Sequence, residues 1–289
     1  FPKYKSFVAD KKYAEIAKAL GLKANTTEEG VKSLVEAVRN LMKELNMPKE
    51  PCPYCGFYLP AYQQVKNSLP PYEILNGKYL VGKVIGVGGF GITYIGWDFY
   101  QSKRVCIKEY FPRGVASRGI TETISHSSLT ATLNVFTENT EQAKYAYQHG
   151  LQTYIKEAEN LSHFYTMSGI VSVRDFFYGN NTAYIVMEYI EGTTFTELVA
   201  QRGGQIPPEE LFTLIEPLFN ALANLHRLGL IHRDISPDNL MLEDGEVRLI
   251  DFGCARDIER GNETLTITLK HGYAPIEQYQ TSGGQGPWT

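Results

Sequence analysis

The chain has 289 residues, of which 43% are apolar, and its 28 basic and 32 acidic side chains give a formal net charge of −4. This composition is enough for one large or two modest packed domains and excludes wholesale disorder. The slightly negative charge argues against a general binder of nucleic acid or anionic membranes. No apolar run approaches the roughly 18 residues of a membrane span.

Neither end of the chain carries a recognisable terminus. No signal peptide precedes the first helix, the chain starts at Phe1 rather than Met, and it stops at Thr289 without a stop pattern. We therefore expect both ends to be cut. Four cysteines are too few for a disulfide scaffold, so we expect reduced thiols and a cytoplasmic protein.

Residues 1–49 have a helical pattern. Gly21 is predicted to end a first helix, and Thr26 with Glu29 forms a capping box that opens a second helix. Apolar residues recur at helical spacing over 31–45. This stripe indicates a two-helix unit packed on another surface or a self-associating coiled coil. Two heptads fall short of the three or four that predict a coiled coil.

Residues 12–17 and 46–48 resemble the C-terminal helices of iron-dependent alcohol dehydrogenases. None of that family's metal or nucleotide residues can be placed here. The resemblance implies helical structure and no activity.

Residues 50–77 are rich in Pro, Tyr and Cys and are predicted to be a linker or a small knuckle. Cys52 and Cys55 form a C-x-x-C pair without a second pair, whereas a structural zinc site needs four ligands. Three interpretations stay open: plain reduced thiols in a turn, half of a Zn²⁺ site completed by other residues or another chain, and a redox pair.

From Lys78 onward the pattern changes to alternation. Strands are predicted over 79–85, 92–97, 104–109, 171–178 and 183–190, the last two as a hairpin around 179–181. The Ser- and Thr-rich stretch 117–140 is predicted to be an extra hairpin or a mobile loop rather than a catalytic insert. After Gly192 the pattern is mostly helical, with 209–228 the longest helix. A strand-rich part followed by a helix-rich part predicts an α+β fold.

A glycine cluster lies between the first two of these strands: Gly86, Val87, Gly88, Gly89, Phe90 and Gly91. Glycines let backbone N–H groups approach phosphates without a clash at Cβ. Because a strand and not a helix follows, the dinucleotide-binding version of the G-x-G-x-x-G motif is excluded. The strand–loop–strand arrangement is typical of protein kinases.

Lys108 ends the apolar strand segment Val105-Cys106-Ile107-Lys108. Burying an unpaired ammonium is expensive, so we expect a partner; a solvated edge lysine is the alternative. The candidate partners are Glu157 and Glu159 on a predicted helix, and similarity to the Glu-Ala-x-x-Leu pattern of kinases favours Glu157.

Three further motifs follow in order. Residues 232–239 resemble the kinase catalytic loop H-R-D-x-x-x-x-N, 251–253 match D-F-G, and 273–277 resemble the A-P-E end of an activation segment. Five motifs in the correct order leave little room for chance. Residues 78–289 therefore resemble the eukaryotic-like protein Ser/Thr kinases, in their bacterial branch.

The resemblance implies a two-lobed kinase fold, with an antiparallel-sheet N-lobe over 78–190 and an incomplete helical C-lobe over 191–289. It also implies transfer of the ATP γ-phosphate to a hydroxyl of a protein substrate. Asp234 would accept or orient the hydroxyl proton, and Asn239 with Asp251 would hold Mg²⁺. The other implied nucleotide contacts are the glycine cluster, Thr93, Cys106, Lys108, Glu157, Met187, Glu188, Ile190 and Met241.

Two departures keep a second function open. Ser236 replaces the lysine that usually touches the γ-phosphate, and loss of one such electrostatic group costs about 10²–10³ in rate. The helices that follow 289 in the family are absent, so this chain is expected to be a fragment, and whether it is stable and active stays open. The alternative is a nucleotide-binding pseudokinase or scaffold. The intact 273–277 stretch favours a peptide substrate over a small-molecule kinase.

The activation segment carries a candidate phosphorylation switch. Thr264, Thr266 and Thr268 lie in it, and a phosphate there would pair with Arg233. A short edge strand is the alternative interpretation.

Overall fold

The computed structural model describes Gly21 and residues 62–125, 128–163, 167–227, 229–251, 256–257, 272–279 and 286. The predictions for the N-terminal helices, for the stripe 31–45 and for Cys52 and Cys55 lie outside the described residues. So do the three threonines of the activation segment and the Phe and Gly of D-F-G. Within the described part, no helix is both long and apolar enough to span a membrane.

The chain divides into two compact units. The first comprises Phe1–Arg104, Phe111–Glu138 and Gly179–Thr182, and the second comprises Val105–Tyr110, Asn139–Tyr178 and Ala183–Thr289. The boundaries predicted at residues 49, 77 and 190 stay predictions.

Three antiparallel strands form the centre of the first unit: β1 (Ile74–Leu75), β2 (Tyr79–Val87) and β3 (Gly91–Asp98). They confirm the strands predicted over 79–85 and 92–97. Their core side chains Tyr79, Val81 and Tyr94 are fully buried. Burial of such apolar groups is the main stabilising contribution in a sheet with one covered face.

The described part of the predicted linker packs against these strands. Leu69 is fully buried, and its backbone N–H donates to the Tyr94 hydroxyl at 3.0 Å. The Val84 N–H donates to the Tyr62 hydroxyl at 3.4 Å. Residues 62–77 therefore do not only connect two segments of the chain. They also contribute to the core of the first unit.

A long hairpin follows, formed by β5 (Ala116–Ser125) and β6 (Ser128–Thr137). The strands pair without interruption from Ala116 opposite Thr137 to Ser125 opposite Ser128. Its alternating Thr, Ile and Val residues suit a pleated surface. Arg118 attaches the hairpin to the preceding chain, because its Nε donates to the Asn67 carbonyl at 2.7 Å. The predicted extra hairpin is confirmed.

The second unit contains most of β4 (Lys103–Tyr110), β7 (Val173–Gly179) and β8 (Thr182–Glu188), and β4 is antiparallel to β8. The turn between β7 and β8 places Asn180 and Asn181 at φ 55° and 58°. Asparagine tolerates this left-handed conformation better than most residues. The predicted hairpin is confirmed, one to two residues shifted at its ends.

Helix α1 (Glu141–Ser162) begins at an N-cap, where Thr140 Oγ1 accepts from the Ala143 N–H at 3.2 Å. Its buried residues recur at helical spacing: Tyr147, Leu151, Tyr154, Ala158 and Leu161. This apolar stripe fixes which face of α1 is covered, and Glu157 lies beside it.

Two more helices follow, α2 (Phe195–Gln201) and α3 (Pro208–Arg227), and α3 confirms the helix predicted over 209–228. The prediction of a mostly helical part missed five short strands. A three-stranded sheet contains β9 (Thr193–Thr194), β11 (Leu240–Glu243) and β12 (Glu246–Leu249), and β10 (Leu230–Ile231) pairs with β13 (Arg256–Asp257). Asp244-Gly245, both at positive φ, is the turn signal that marks the β11–β12 hairpin.

Candidate active site

The loop that follows β10 carries Asp234 and ends in a 3₁₀ turn, Pro237–Asn239. Asn239 is 8% exposed, and its Nδ2 donates to the Asp234 carboxylate and to the Asp234 carbonyl, both at 2.8 Å. The five-residue spacing between these two residues lets one amide hold both the side chain and the backbone of Asp234. The carboxylate is therefore fixed in direction before any substrate arrives.

His232 lies buried at the base of the same loop. Its Nδ1 accepts from the Asp234 N–H at 3.3 Å. Burial lowers the pKa of His232 to about 4, a shift that Asp251 opposes and Lys108 reinforces. The imidazole is therefore neutral at physiological pH, so its role in this loop is structural.

Arg233, between them, has φ +67°, a conformation that is strained for a bulky side chain. Its carbonyl accepts from the Nε2 of Gln278 at 2.7 Å, and Gln278 is 1% exposed. Gln278 belongs to the 3₁₀ turn Ile276–Tyr279. The 3₁₀ turn that begins within the predicted A-P-E stretch is therefore attached to the catalytic loop by a buried hydrogen bond.

Lys108 lies on β4, and its Nζ forms an ion pair with the Asp251 carboxylate. Glu157 is half-buried on α1, whereas Glu159 is exposed. Burial raises the pKa of Glu157 well above its usual range; the nearby Lys108 lowers it and Asp251 raises it further. The second unit thus places Lys108, Glu157 and Asp251 near one another, although they are far apart in sequence.

Two of the predicted nucleotide contacts lie on paired strands. Cys106 lies opposite Met187 in the β4–β8 register, and Met187 and Ile190 are both buried. Cys106 is a free thiol, and burial raises its pKa to about 12. It is therefore a small protonated apolar group and not a nucleophile. Met241 is half-buried on β11.

Glu188 is fixed by its side chain. Its Oε1 accepts from the Ser172 N–H and from Arg248 Nη1, both at 3.0 Å, and its Oε2 lies 3.9 Å from Arg174 Nη2. The Glu188 N–H donates to the Ser172 carbonyl at 3.0 Å, and the nucleotide contact at Glu188 stays a prediction. The partners lie 14 to 60 residues away, so sequence reasoning could not have identified them.

The glycine loop belongs to the first unit. The carbonyls of Phe90 and Gly89 accept from the N–H groups of Phe111 and Arg113, both at 2.8 Å. A Cβ placed at Gly86, Gly88 or Gly89 would meet nothing closer than 3.7 Å. Packing within the chain therefore does not require these glycines, whereas close approach of a phosphate to the backbone does. Thr93, opposite Gly86 on β3, is half-buried.

Ser236, in the place of the usual lysine, is 3% exposed. Its carbonyl accepts from the Asn239 N–H at 2.9 Å. A buried hydroxyl carries no positive charge, so Ser236 does not supply the charge that the usual lysine brings to a phosphate.

Comparison with known proteins agrees with this arrangement. The protein kinase domain family matches residues 131–283, more than half of the chain. The chain therefore belongs to the protein kinase family, and the predicted fold, with its antiparallel-sheet N-lobe and helical C-lobe, is confirmed.

Its relatives are bacterial Ser/Thr protein kinases. The chain is 30% identical over 216 residues to serine/threonine-protein kinase F of Synechocystis sp., covering 71% of this chain and 40% of that protein. It is 29% identical over 218 residues to PknA of Nostoc sp., covering 71% and 34%. A solved structure, "PpkA-294 apo form", matches with a TM-score of 0.60 and 34% identity over 77% of this chain and 74% of that chain. The chain thus spans less than half of the length of the Synechocystis and Nostoc kinases.

Proposed function

We propose that the protein is an ATP-dependent protein Ser/Thr kinase. The observation that carries this proposal is the double hydrogen bond from Asn239 to Asp234, which aims a carboxylate from a rigid loop. In phosphoryl transfer, positioning and charge neutralisation supply most of the catalysis. A fixed carboxylate and a lysine paired with Asp251 are groups that this chemistry uses.

In the proposed reaction, the oxygen of a Ser or Thr hydroxyl attacks the γ-phosphorus of ATP. The P–O bond to the β-phosphate breaks, and ADP leaves with the bonding electrons. Asp234 orients the hydroxyl and takes its proton. Lys108 contributes positive charge at the phosphates, and Glu157 is the predicted second partner of that lysine.

The residues present fit Mg²⁺. Asn239 uses its amide nitrogen on Asp234, which leaves the amide oxygen as the metal-binding atom, and Asp251 offers a carboxylate. Mg²⁺ prefers oxygen ligands and is commonly held by one or two carboxylates together with substrate phosphates. No group of three or more His, Cys, Asp or Glu placed for a metal occurs among the described residues. When bound, Mg²⁺ would neutralise phosphate charge.

The second candidate is a nucleotide-binding pseudokinase, and buried Ser236 favours it. Such a protein would bind ATP without transferring phosphate. The two candidates agree on binding and differ on turnover.

The remaining proposals rest on the sequence alone. We propose a cytoplasmic location and self-association through 31–45, and we keep the faint alcohol-dehydrogenase likeness as a prediction of helicity only. The pair Cys52 and Cys55 stays a predicted Zn²⁺ half-site, redox pair or plain thiol pair. The protein substrate is one with an accessible Ser or Thr.

Nucleotide binding is tested by thermal unfolding of the 289-residue chain with and without Mg·ATP. A ligand that binds only the folded state raises its stability by RT ln(1 + [L]/Kd), about 2.7 kcal/mol at a hundredfold excess over Kd. We expect the unfolding temperature to rise with Mg·ATP concentration, and Lys108→Ala to reduce the rise. A folded chain whose unfolding temperature does not change with Mg·ATP would contradict both the kinase and the pseudokinase proposal.

A further inference from the structure

Gly150 lies in the middle of α1, a 22-residue helix. Glycine is among the poorest helix formers, because it loses the most backbone freedom. A Cβ placed at Gly150 would lie 2.1 Å from the hydroxyl oxygen of Tyr110 and 3.1 Å from its Cζ. The glycine is therefore explained by the tyrosine that occupies the space of its missing side chain.

Tyr110 cannot easily move out of this space. It is 7% exposed at the end of β4. Its ring centroid lies 5.4 Å from that of Tyr147 and 5.3 Å from that of Tyr154, both buried residues of α1. The nearest atom to the missing Cβ is the tip of a rigid ring, and the rings on either side confine it.

Tyr154 connects the same helix to the neighbourhood of Lys108. Its hydroxyl donates to the Lys108 carbonyl at 2.9 Å. Glu157 follows three residues later, so it lies on the same side of α1 one turn further on. Helix α1, which carries Glu157, is thus hydrogen-bonded to the main chain of Lys108. Glu157 lies near the same lysine.

We propose that Gly150, Tyr110 and Tyr154 are positioning residues that set the depth and register of α1 on β4 and thereby hold Glu157 at Lys108. The contacts belong entirely to the second unit. Their consequence for phosphate transfer rests on the proposed function, whereas their consequence for packing does not.

The test is a double-mutant cycle between Gly150→Ala and Tyr110→Phe in the 289-residue chain. Alanine is the better helix former, so a glycine without a packing role predicts a stabilised Gly150→Ala protein. The proposal predicts the opposite sign, a lower unfolding temperature. Tyr110→Phe removes the oxygen at 2.1 Å and leaves Cζ at 3.1 Å, a gap that small shifts can accommodate. Adding it to Gly150→Ala should therefore restore most of the loss.

Activity supplies the second readout. A misplacement of about 1 Å costs up to about a hundredfold in rate, so we expect Gly150→Ala to lower kcat/KM by about tenfold or more and Tyr110→Phe to recover it. Tyr154→Phe, which keeps the ring and removes only the hydroxyl, leaves the Lys108 carbonyl without this donor, so it should lower the unfolding temperature as well as kcat/KM. Tyr145→Phe is the matched control, because Tyr145 is 74% exposed on the same helix.

Either a Gly150→Ala protein as stable as the wild type or a Tyr110→Phe change that rescues nothing would overturn the proposal. If the wild-type chain transfers no phosphate, the proposed function fails, and the unfolding-temperature cycle still decides the packing claim. A Gly150→Ala protein that does not fold supports the clash only if the double variant folds.

Discussion

The glycine loop and the catalytic loop are held in opposite ways. The glycine loop is exposed over 87–89, with Val87 57% exposed, and backbone hydrogen bonds from Gly88 to Gly91, from Phe111 to Phe90 and from Arg113 to Gly89 hold it. The catalytic loop is buried around His232 and Asn239, and side chains hold it. One loop therefore depends on the absence of side chains, and the other on which side chains are present.

This difference explains why the two motifs carry unequal information. In 232–239, Asp234 and Asn239 are hydrogen-bonded to each other and also have predicted chemical roles, so a structural and a chemical requirement both bear on their spacing. In the glycine loop the chain itself leaves room for larger residues at Gly86, Gly88 and Gly89. Packing within the chain supplies no constraint at these three positions, which is why a G-x-G-x-x-G match alone is a weak signal.

The largest effect is expected at Asn239. Asn239→Ala removes both bonds to Asp234 and one predicted Mg²⁺ ligand, and we expect kcat to fall about 10²–10³-fold, as for loss of one preorganised electrostatic group. Asn239→Asp separates the two roles, because it keeps an oxygen ligand and loses the N–H₂ donor. Steady-state kinetics at saturating Mg·ATP should show both variants impaired. Full activity in Asn239→Asp would show that the bond to Asp234 is dispensable.

An intermediate effect is expected at Gln278. Gln278→Ala leaves the Arg233 carbonyl without its buried donor, and losing such a partner costs about 1–3 kcal/mol. Urea unfolding should show that decrease in the free energy of unfolding. Ile276→Ala is the control, because Ile276 is 80% exposed on the same turn and such surface changes stay within about 0.5 kcal/mol. Equal decreases in the free energy of unfolding of the two variants would show that the hydrogen bond from Gln278 to Arg233 does not stabilise the protein.

How far the site could be predicted from sequence follows from the same contrast. Lys108, Asp234, Asn239 and Asp251 lie in short motifs whose residue types and spacing indicate a chemistry, so they could be proposed from the sequence, and their roles stay predictions. Gln278, 45 residues from its partner, and Gly150, explained only by Tyr110, have no periodic or local signal. Their roles depend on which distant residue packs against them.

The elements of the fold also differ in how well the sequence predicts them. Long alternating strands and α3 were predicted because each has its own period. The short strands after Gly192 were missed because two to four residues show no period, although Asp244-Gly245 marks one turn. The departure at Ser236 was visible in the sequence, whereas its burial was not.

The smallest effect is expected in the glycine loop. Val87→Thr changes an exposed side chain of similar size, and we expect the free energy of unfolding to stay within about 0.5 kcal/mol of the wild type. The same urea titration measures it. A loss as large as that of Gln278→Ala would mean that side chains hold this loop too, and the contrast between the loops would fail.

The most direct test of the central claim compares γ-phosphate transfer by the 289-residue chain and its Asp234→Asn variant, using radiolabelled ATP, Mg²⁺ and a generic Ser/Thr protein substrate. Asparagine keeps the shape of Asp234 but cannot take a proton, while the nucleotide-binding groups are unchanged. The account predicts transfer by the wild type, loss of transfer in the variant, and the same rise in unfolding temperature with Mg·ATP in both. Transfer that persists in Asp234→Asn, or a wild type that binds Mg·ATP and transfers nothing, would contradict it.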